Sequence, residues 1–468
     1  MQGAHSLQSN SGAPQAMKKK GKFRLSIWRI LALGYLITMV LGSVLLILPF
    51  ATKAGQSTSY IDALFTSASA TFITGLAPYD TYEHWTLFGQ LVILFLIQLG
   101  GLGFMTVVSI IFVMFGHGMG LHERRVMMMD AGGGSTVLTG VKKLVIRIVA
   151  GSLIIEAAGA LLLCIRFIPQ FGALNGIYFS IWHSVSAFCN AGFDLMGTDS
   201  TGASVSLTGY ATDPLVSLTI CVLIIFGGLG FCVWGDVMDR KFNLKKTNLN
   251  TKVILIVNAI LLIGGALLFL LFERDNPAYE DYNFGEKLLA SVFNSTTART
   301  AGFSTTPLDT MSESGYLLTI VLMFIGGSSG STAGGLKIGT FAVIIMGMIG
   351  VFRGKKDINI GKRRIEYSLV SRSLAILTAC LMTVVLSTMI ICAVDPFTFE
   401  DVLFQSVSAL STVGLGVCNV GAMHWLSKIV LIILMFAGRV GILTFALALG
   451  EKKTAAEIRR PVENILIG

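Results

Sequence analysis

Apolar runs of about 20 residues come in pairs along this chain, and each pair encloses a shorter amphipathic stretch that ends at a glycine. The pattern predicts a first span near 27–49, a short helix near 60–70, a turn over Thr71–Gly75 and a second span near 86–115. It then predicts spans near 144–168 and 215–238 around a short helix at 175–187. A third round has a span at 252–272, a short helix at 284–297 and an interrupted stretch from 315 to 352. The fourth has spans at 368–394 and 425–449 around a short helix at 398–410. Helices of about 20 apolar residues cross a bilayer, whereas the amphipathic segments of about 12 do not. Irregular backbone at membrane depth survives only where protein covers it or it lines a water-filled cavity. The short segments therefore read as re-entrant hairpins.

The phrases at the hairpin tips are related. They read Ser69–Leu76, Ser186–Phe193, Thr296–Phe303 and Ser408–Leu415, with glycines at 75, 192, 302 and 414, separated by 117, 110 and 112 residues. One module used four times explains that period. The expected fold is an all-α polytopic membrane protein of four helix–pore-loop–helix repeats around a pseudo-fourfold central pore, with eight transmembrane helices and four re-entrant pore helices. The expected boundaries are a disordered basic tail at 1–24, repeats at 25–120, 121–240, 241–355 and 356–452, and a C-terminal tail at 453–468.

Composition agrees: 53% of the 468 residues are hydrophobic, 13% are charged, and mean hydropathy is +0.75. The net charge of +9 gathers between repeats and at the termini, for example at Lys18–Lys20, Arg124, Arg125, Lys245, Lys246, Arg363, Arg364, Lys452 and Lys453. The positive-inside rule assigns these clusters, and both termini, to the cytoplasm. Two crossings per repeat return every linker to that same side. Such charge contacts anionic lipid and gives no reason to expect nucleic acid. The opposite loops carry Asp80, Glu83, Asp194, Asp199, Asp213, Glu273, Asp395 and Asp401, either a cation-concentrating vestibule or ordinary solvated acids. Seven cysteines without a CxxC pair suggest neither a disulfide framework nor a metal site.

A cation filter replaces hydration water with oxygen ligands, and backbone carbonyls at glycine-relaxed turns supply them. The filter candidates are Thr71, Phe72, Ile73, Thr74 and Gly75; Cys189, Asn190, Ala191 and Gly192; Arg299, Thr300, Ala301 and Gly302; and Ser411, Thr412, Val413 and Gly414. Pore-helix C-termini would add negative partial charge below them. The second spans carry glycine groups of their own at 100–103, 227–230, 326–327 and 438–441, suited to close helix packing. In the third repeat the group expands into Gly326, Gly327, Ser328, Ser329, Gly330, Ser331, Thr332, Ala333, Gly334, Gly335, Leu336 and Lys337. So polar a run is no lipid-facing helix and reads as a gate beneath the filter. Arg439 replaces a glycine of the other repeats and reads either as an electrostatic barrier in the ion path or as half of a salt bridge. Arg299 either bonds backbone carbonyls or meets an outer acid. Glu156 either binds a coupled ion or pairs with a basic neighbour.

These phrases, the 326–335 interruption and the Gly438-Arg439 pair resemble the Ktr/Trk/HKT superfamily of potassium transporters, and most closely the Ktr membrane subunit, over residues 25–468. The resemblance implies potassium uptake in a bacterial plasma membrane, often sodium-dependent, through a pore-forming homodimer. It also implies that 326–337 is an intramembrane gating loop beside Arg439, and that a cytoplasmic ring of nucleotide-binding regulatory subunits is the partner. No nucleotide site is expected in this chain. Glycine at position 75, where some sodium-selective plant relatives have serine, favours K+. Two rivals are a sodium-permeable or weakly selective channel of this fold and a secondary transporter for an organic solute. The parallel repeats argue against the second, whose repeats are commonly inverted. No acid, nucleophile or metal cluster suggests an enzyme.

Overall fold

The computed structural model describes residues 27–103, 106, 107, 109, 141–198, 205–354, 358–360 and 363–442. The tail at 1–24, the segment 453–468 and several basic-linker residues (Arg124, Arg125, Lys355, Lys356 and Lys362) lie outside the described residues. Repeat one comprises α1 (Ile27–Leu46), pore helix α2 (Tyr60–Thr71) and α3 (Leu87–Leu102). Repeat two comprises α4 (Val141–Phe171), pore helix α5 (Ala173–Phe188), α6 (Pro214–Leu229) and α7 (Phe231–Asp239). Repeat three comprises α8 (Leu249–Phe272), pore helix α9 (Phe284–Thr297), α10 (Glu313–Phe324) and α11 (Ile338–Phe352). Repeat four comprises α12 (Tyr367–Val394), pore helix α13 (Phe399–Ser411) and α14 (Trp425–Val440). Before it, β1 (Ile358–Ile360) and β2 (Arg363–Ile365) pair antiparallel, a two-stranded ribbon in an otherwise helical protein.

The first spans α1, α4, α8 and α12 form an outer layer. Only 22–44% of their most apolar windows is buried, and Ile37, Leu41, Ile256, Ile260, Leu381 and Val385 face outward. Lipid solvates such a surface; water does not. The pore helices lie inside and bury polar side chains. Ser67 Oγ donates to Met39 O at 2.6 Å, Ser184 Oγ to Glu156 O at 2.6 Å and Ser295 Oγ to Leu262 O at 2.8 Å. Each serine faces a glycine one turn further along the first span (Gly42, Gly159, Gly265), where a Cβ would strike its hydroxyl. Repeat four has no such glycine contact among the described residues; Ser387 lies on its first span. The Ser387 hydroxyl donates to Val384 O, and Ser406 Oγ is without a partner.

Polar caps start three of the four pore helices and the second spans on their outer side; Gly172 precedes α5 without a side-chain cap. Ser59, Thr398, Thr86 and Ser312 accept from first-turn amides, and Asn283 forms a capping box with Glu286. Asp213 accepts from the Leu215 and Val216 amides with Pro214 at the first helical position. Each pore helix packs on the second span of the preceding repeat: α5 on α3, α9 on α6, α13 on α10, and α2 on α14, which closes a ring. These seams carry Tyr178–Gln90, Thr296–Cys221, Asp401–Tyr316 and the buried ion pair Asp62–Lys428 at 2.7 Å.

Three expected second spans are broken at a glycine. α3 stops before Gly103 (φ 85°), α14 before Gly441 (φ 91°), and α6 before Gly230 (φ 93°), after which α7 leaves at 89°. The single helix expected at 215–238 is therefore two. A left-handed glycine ends a helix without the Cβ clash any other residue would meet, so apolar length alone does not reveal these breaks.

Candidate functional site

The four hairpin glycines share one axis. Gly75, Gly192, Gly302 and Gly414 have φ of 94°, 71°, 81° and 96°. A Cβ on Gly75 would lie 2.5 Å from Ala191 O, and one on Gly192 would lie 2.9 Å from Ala301 O. The same position on Gly302 meets Val413 O at 2.5 Å, and on Gly414 it collides with Thr74 O. Each glycine abuts the carbonyl preceding the next repeat's glycine, and the fourth returns to the first. No side chain fits anywhere around this ring.

Glycine is not the only left-handed residue there. Ile73, Asn190, Thr300 and Thr412, two positions earlier, have φ of 51°, 57°, 75° and 52°. A positive φ at a β-branched residue costs roughly 1–3 kcal/mol and needs compensation. Helix-terminal hydrogen bonds supply it: Ile73 N to Ala70 O at 3.2 Å with Thr74 N to Ser69 O at 2.8 Å, Asn190 N to Ala187 O with Ala191 N to Ser186 O, and Thr412 N to Ala409 O with Val413 N to Ser408 O. Ser69 and Ser408 hydroxyls also accept from Gly75 N and Gly414 N. In repeats one and four the serine of the phrase is thus a clamp on the turn, whereas Ser186 Oγ has no partner. In an extended strand successive residues alternate sides; left-handed residues at two of three positions break that alternation and leave each glycine against a neighbouring hairpin's carbonyl.

The hydroxyls of Thr71, Thr74, Ser411 and Thr412 are buried without a protein partner. Unpaired buried oxygens are costly. They come from the first and fourth hairpins, at the C-termini of α2 and α13, where hydroxyl and backbone oxygens together suit a dehydrated monovalent cation. In the first three hairpins the side chain three positions before the glycine points away from the ring. Phe72 packs between Tyr35 and Phe436, and Cys189 Sγ lies against Gly101 and Gln98. Arg299 donates to Asn258 Oδ1 and, at 3.3 Å, to Gly326 O. Arg299 therefore braces carbonyls, though those of α8 and the loop rather than the filter, and among the described residues it pairs with no outer acid.

Residues 325–337 contact repeats two and four and are joined to repeat one through Arg439. Ser328 N and Thr332 N donate to Gly228 O and Gly227 O at 3.1 and 3.3 Å, and Phe231 N donates to Gly330 O at 2.9 Å. Gly334 and Gly335 lie against Ser411 and Thr412. Arg439 joins Thr332 O (2.5 Å) and Ser331 O (3.4 Å) to Gly100 O at the break of repeat one. Among the described residues Arg439 makes no ion pair, so the salt-bridge alternative gives way to a carbonyl clamp. Lys337 Nζ donates to Ala333 O at 2.7 Å. A cavity of about 290 Å³ opens beside the loop, lined by Tyr35, Gly103, Ser331, Lys337, Cys380 and Arg439 among others. The second-span glycines do more than pack helices: Gly100, Gly227 and Gly438 abut Thr71 O, Phe188 O and Leu410 O at the pore-helix ends.

Glu156 is buried and accepts from Gln98 Nε2 at 3.1 and 3.2 Å; its partner is an amide, not the expected base. Several outer acids serve the fold. Asp213 caps α6, Glu273 accepts from Ser312 N and Oγ, and Asp395 accepts from His424 N. Asp194, just past the second glycine, stays near the mouth; burial, with a contribution from Asp80, pushes its carboxyl up to about 7. The serine–glycine contacts and the left-handed Ile73 and Thr412 escaped sequence reasoning. The first-span glycines precede their pore glycines by 33, 33 and 37 residues, too irregular a spacing to stand out beside the phrase itself.

Comparison with known proteins agrees with this geometry. The TrkH cation transport protein family matches residues 35–455. The chain is 40% identical to the potassium/sodium uptake protein NtpJ of Enterococcus hirae, across 97% of this chain and 99% of that protein. It is 39% identical to the Ktr system potassium uptake protein B of Bacillus subtilis, across 94% and 96%. The crystal structure of the potassium transporter TrkH from Vibrio parahaemolyticus superposes with a TM-score of 0.68 at 21% identity, covering 92% of this chain and 86% of that one. A ring built from four hairpins, a fold shared with a solved transporter and relatives matched nearly end to end lead to one conclusion: this chain belongs to the TrkH family of cation transport proteins.

Proposed function

We propose that this chain is the pore-forming subunit of a Ktr-type potassium uptake system. K+ sheds water into the ring of carbonyls preceding Gly75, Gly192, Gly302 and Gly414, then meets the 326–337 loop and Arg439 before reaching the cytoplasm. The cyclic contact of each glycine with its neighbour's carbonyl carries this reading. The loop is the gate, and Arg439 holds it across the path while adding positive charge there. The chain works as a homodimer under a cytoplasmic ring of nucleotide-binding subunits. Basic residues on the linkers, such as Arg240, Lys245, Lys246, Arg363 and Arg364, suit a docking surface. The named relatives, one of them part of a Ktr system, support K+ as the cargo. A second reading has Na+ permeating or coupled as well, and the potassium/sodium uptake name of the E. hirae relative favours it.

Gly75→Ser in proteoliposomes tests the filter. Its Cβ meets Ala191 O, so K+/Na+ discrimination should fall by about tenfold or more, the equivalent of about 1.4 kcal/mol. An unaltered ratio would refute the assignment.

A further inference from the structure

The ring is not equivalent on its four sides, and the difference lies in the residues two positions before each glycine. Ile73 has no polar group, and Thr412 Oγ1 has no partner. Asn190 and Thr300 instead meet side chain to side chain at 3.2 Å, both buried, both left-handed, from adjacent hairpins. One amide orientation serves every neighbour. Asn190 Nδ2 donates to Ile224 O and Ala187 O, each at 3.2 Å, and Oδ1 accepts from the Thr300 hydroxyl. The side chain thereby ties the second hairpin to its own pore helix, to α6 and to the third hairpin. Gly227, which the gating loop also grips through Thr332 N, sits against the same amide.

We infer that the Asn190–Thr300 bond is a positioning bracket that fixes the spacing of two adjacent filter hairpins, and so sets discrimination between K+ and the smaller Na+. The inference rests on the filter reading above. Carbonyl dipoles discriminate between ions by the cavity they can hold and by their number and field strength. A hairpin pair locked together cannot close around a smaller ion. The backbone does not require the amide for its conformation, because glycine adopts the same left-handed angle freely. That separates the two roles of Asn190.

Purified variants in proteoliposomes, with K+ and Na+ uptake measured in parallel, test the bracket. Asn190→Gly keeps the left-handed turn and removes the amide; Thr300→Val is nearly isosteric and removes the hydroxyl. Each should lower the K+/Na+ uptake ratio by about tenfold, the double variant should be no worse than either single one, and Thr300→Ser should rescue the ratio. If Asn190→Gly does not assemble, Thr300→Val against Thr300→Ser decides alone. A wild-type ratio in Thr300→Val overturns the bracket, as does full additivity in the double variant. Gly75→Ser is the control: if it alters selectivity while Thr300→Val does not, the bracket fails and the filter stands. If neither alters it, both fail.

Discussion

Single residues at the outer mouth and the ring combine strain, burial and charge in ways that experiments separate. Asp194 holds its proton in the fold up to about pH 7, while the unfolded chain gives it up near 3.8. Its carboxyl therefore costs stability progressively as pH rises between those values and adds no further change above them. Asp194→Asn should unfold at a higher temperature than wild type at pH 8, with the gap narrowing toward pH 5; a gap constant with pH would contradict this. The glycine phrase made the ring legible in the sequence, because four unrelated turns would not place their glycines at matched positions in otherwise dissimilar segments. Ile73 and Thr412 were not legible. Their left-handed backbone runs against β-branched preference and is imposed by the helix-terminal hydrogen bonds around them. Arg299 was legible as a buried cation but not by partner, since Asn258 and Gly326 approach only after α8 and α10 have packed.

At the scale of elements, the proposed gate is an enlarged version of a break found in the other repeats. Gly103, Gly230 and Gly441 end α3, α6 and α14 at matched places, and repeat three inserts residues 325–337 there. Hydrogen bonds to Gly227 O, Gly228 O and the Arg439 guanidinium hold the insert. Arg439→Gln shortens that clamp and withdraws a positive charge from the path. K+ flux through the purified chain should rise about tenfold, as loss of charge-assisted hydrogen bonds worth about 1.5–3 kcal/mol permits. Flux equal to or below wild type in a monodisperse variant would count against the gate. The sequence showed that residues 326–337 cannot be helix. It hid the breaks at Gly103 and Gly441, because an apolar run continues past each one and hydropathy does not register a backbone turn.

For the whole molecule, ring closure between repeats four and one is the one seam that adjacent chain does not support. There Lys428 Nζ meets Asp62 Oδ1 at 2.7 Å with both side chains 7% exposed, and Tyr79 OH and Ser59 Oγ also donate to Asp62. Removing one partner strands a buried charge, at a cost of about 3–5 kcal/mol. Asp62→Asn or Lys428→Met should lower the unfolding temperature in detergent sharply, and Asp62→Asn with Lys428→Met should recover part of the loss. A double variant as unstable as the sum of the singles would mean the pair is not coupled. This seam carried no sequence signal, since Asp62 and Lys428 lie 366 residues apart and neither belongs to the repeated phrase.

The proposed function depends on one cation held by carbonyls from all four hairpins. Crystals of the purified protein soaked in Rb+, measured at the rubidium edge, test it directly. An anomalous peak on the axis enclosed by Gly75, Gly192, Gly302 and Gly414, displaced by K+ and absent in Gly75→Ser, is the predicted result. Strong binding elsewhere with no peak inside that ring would contradict it.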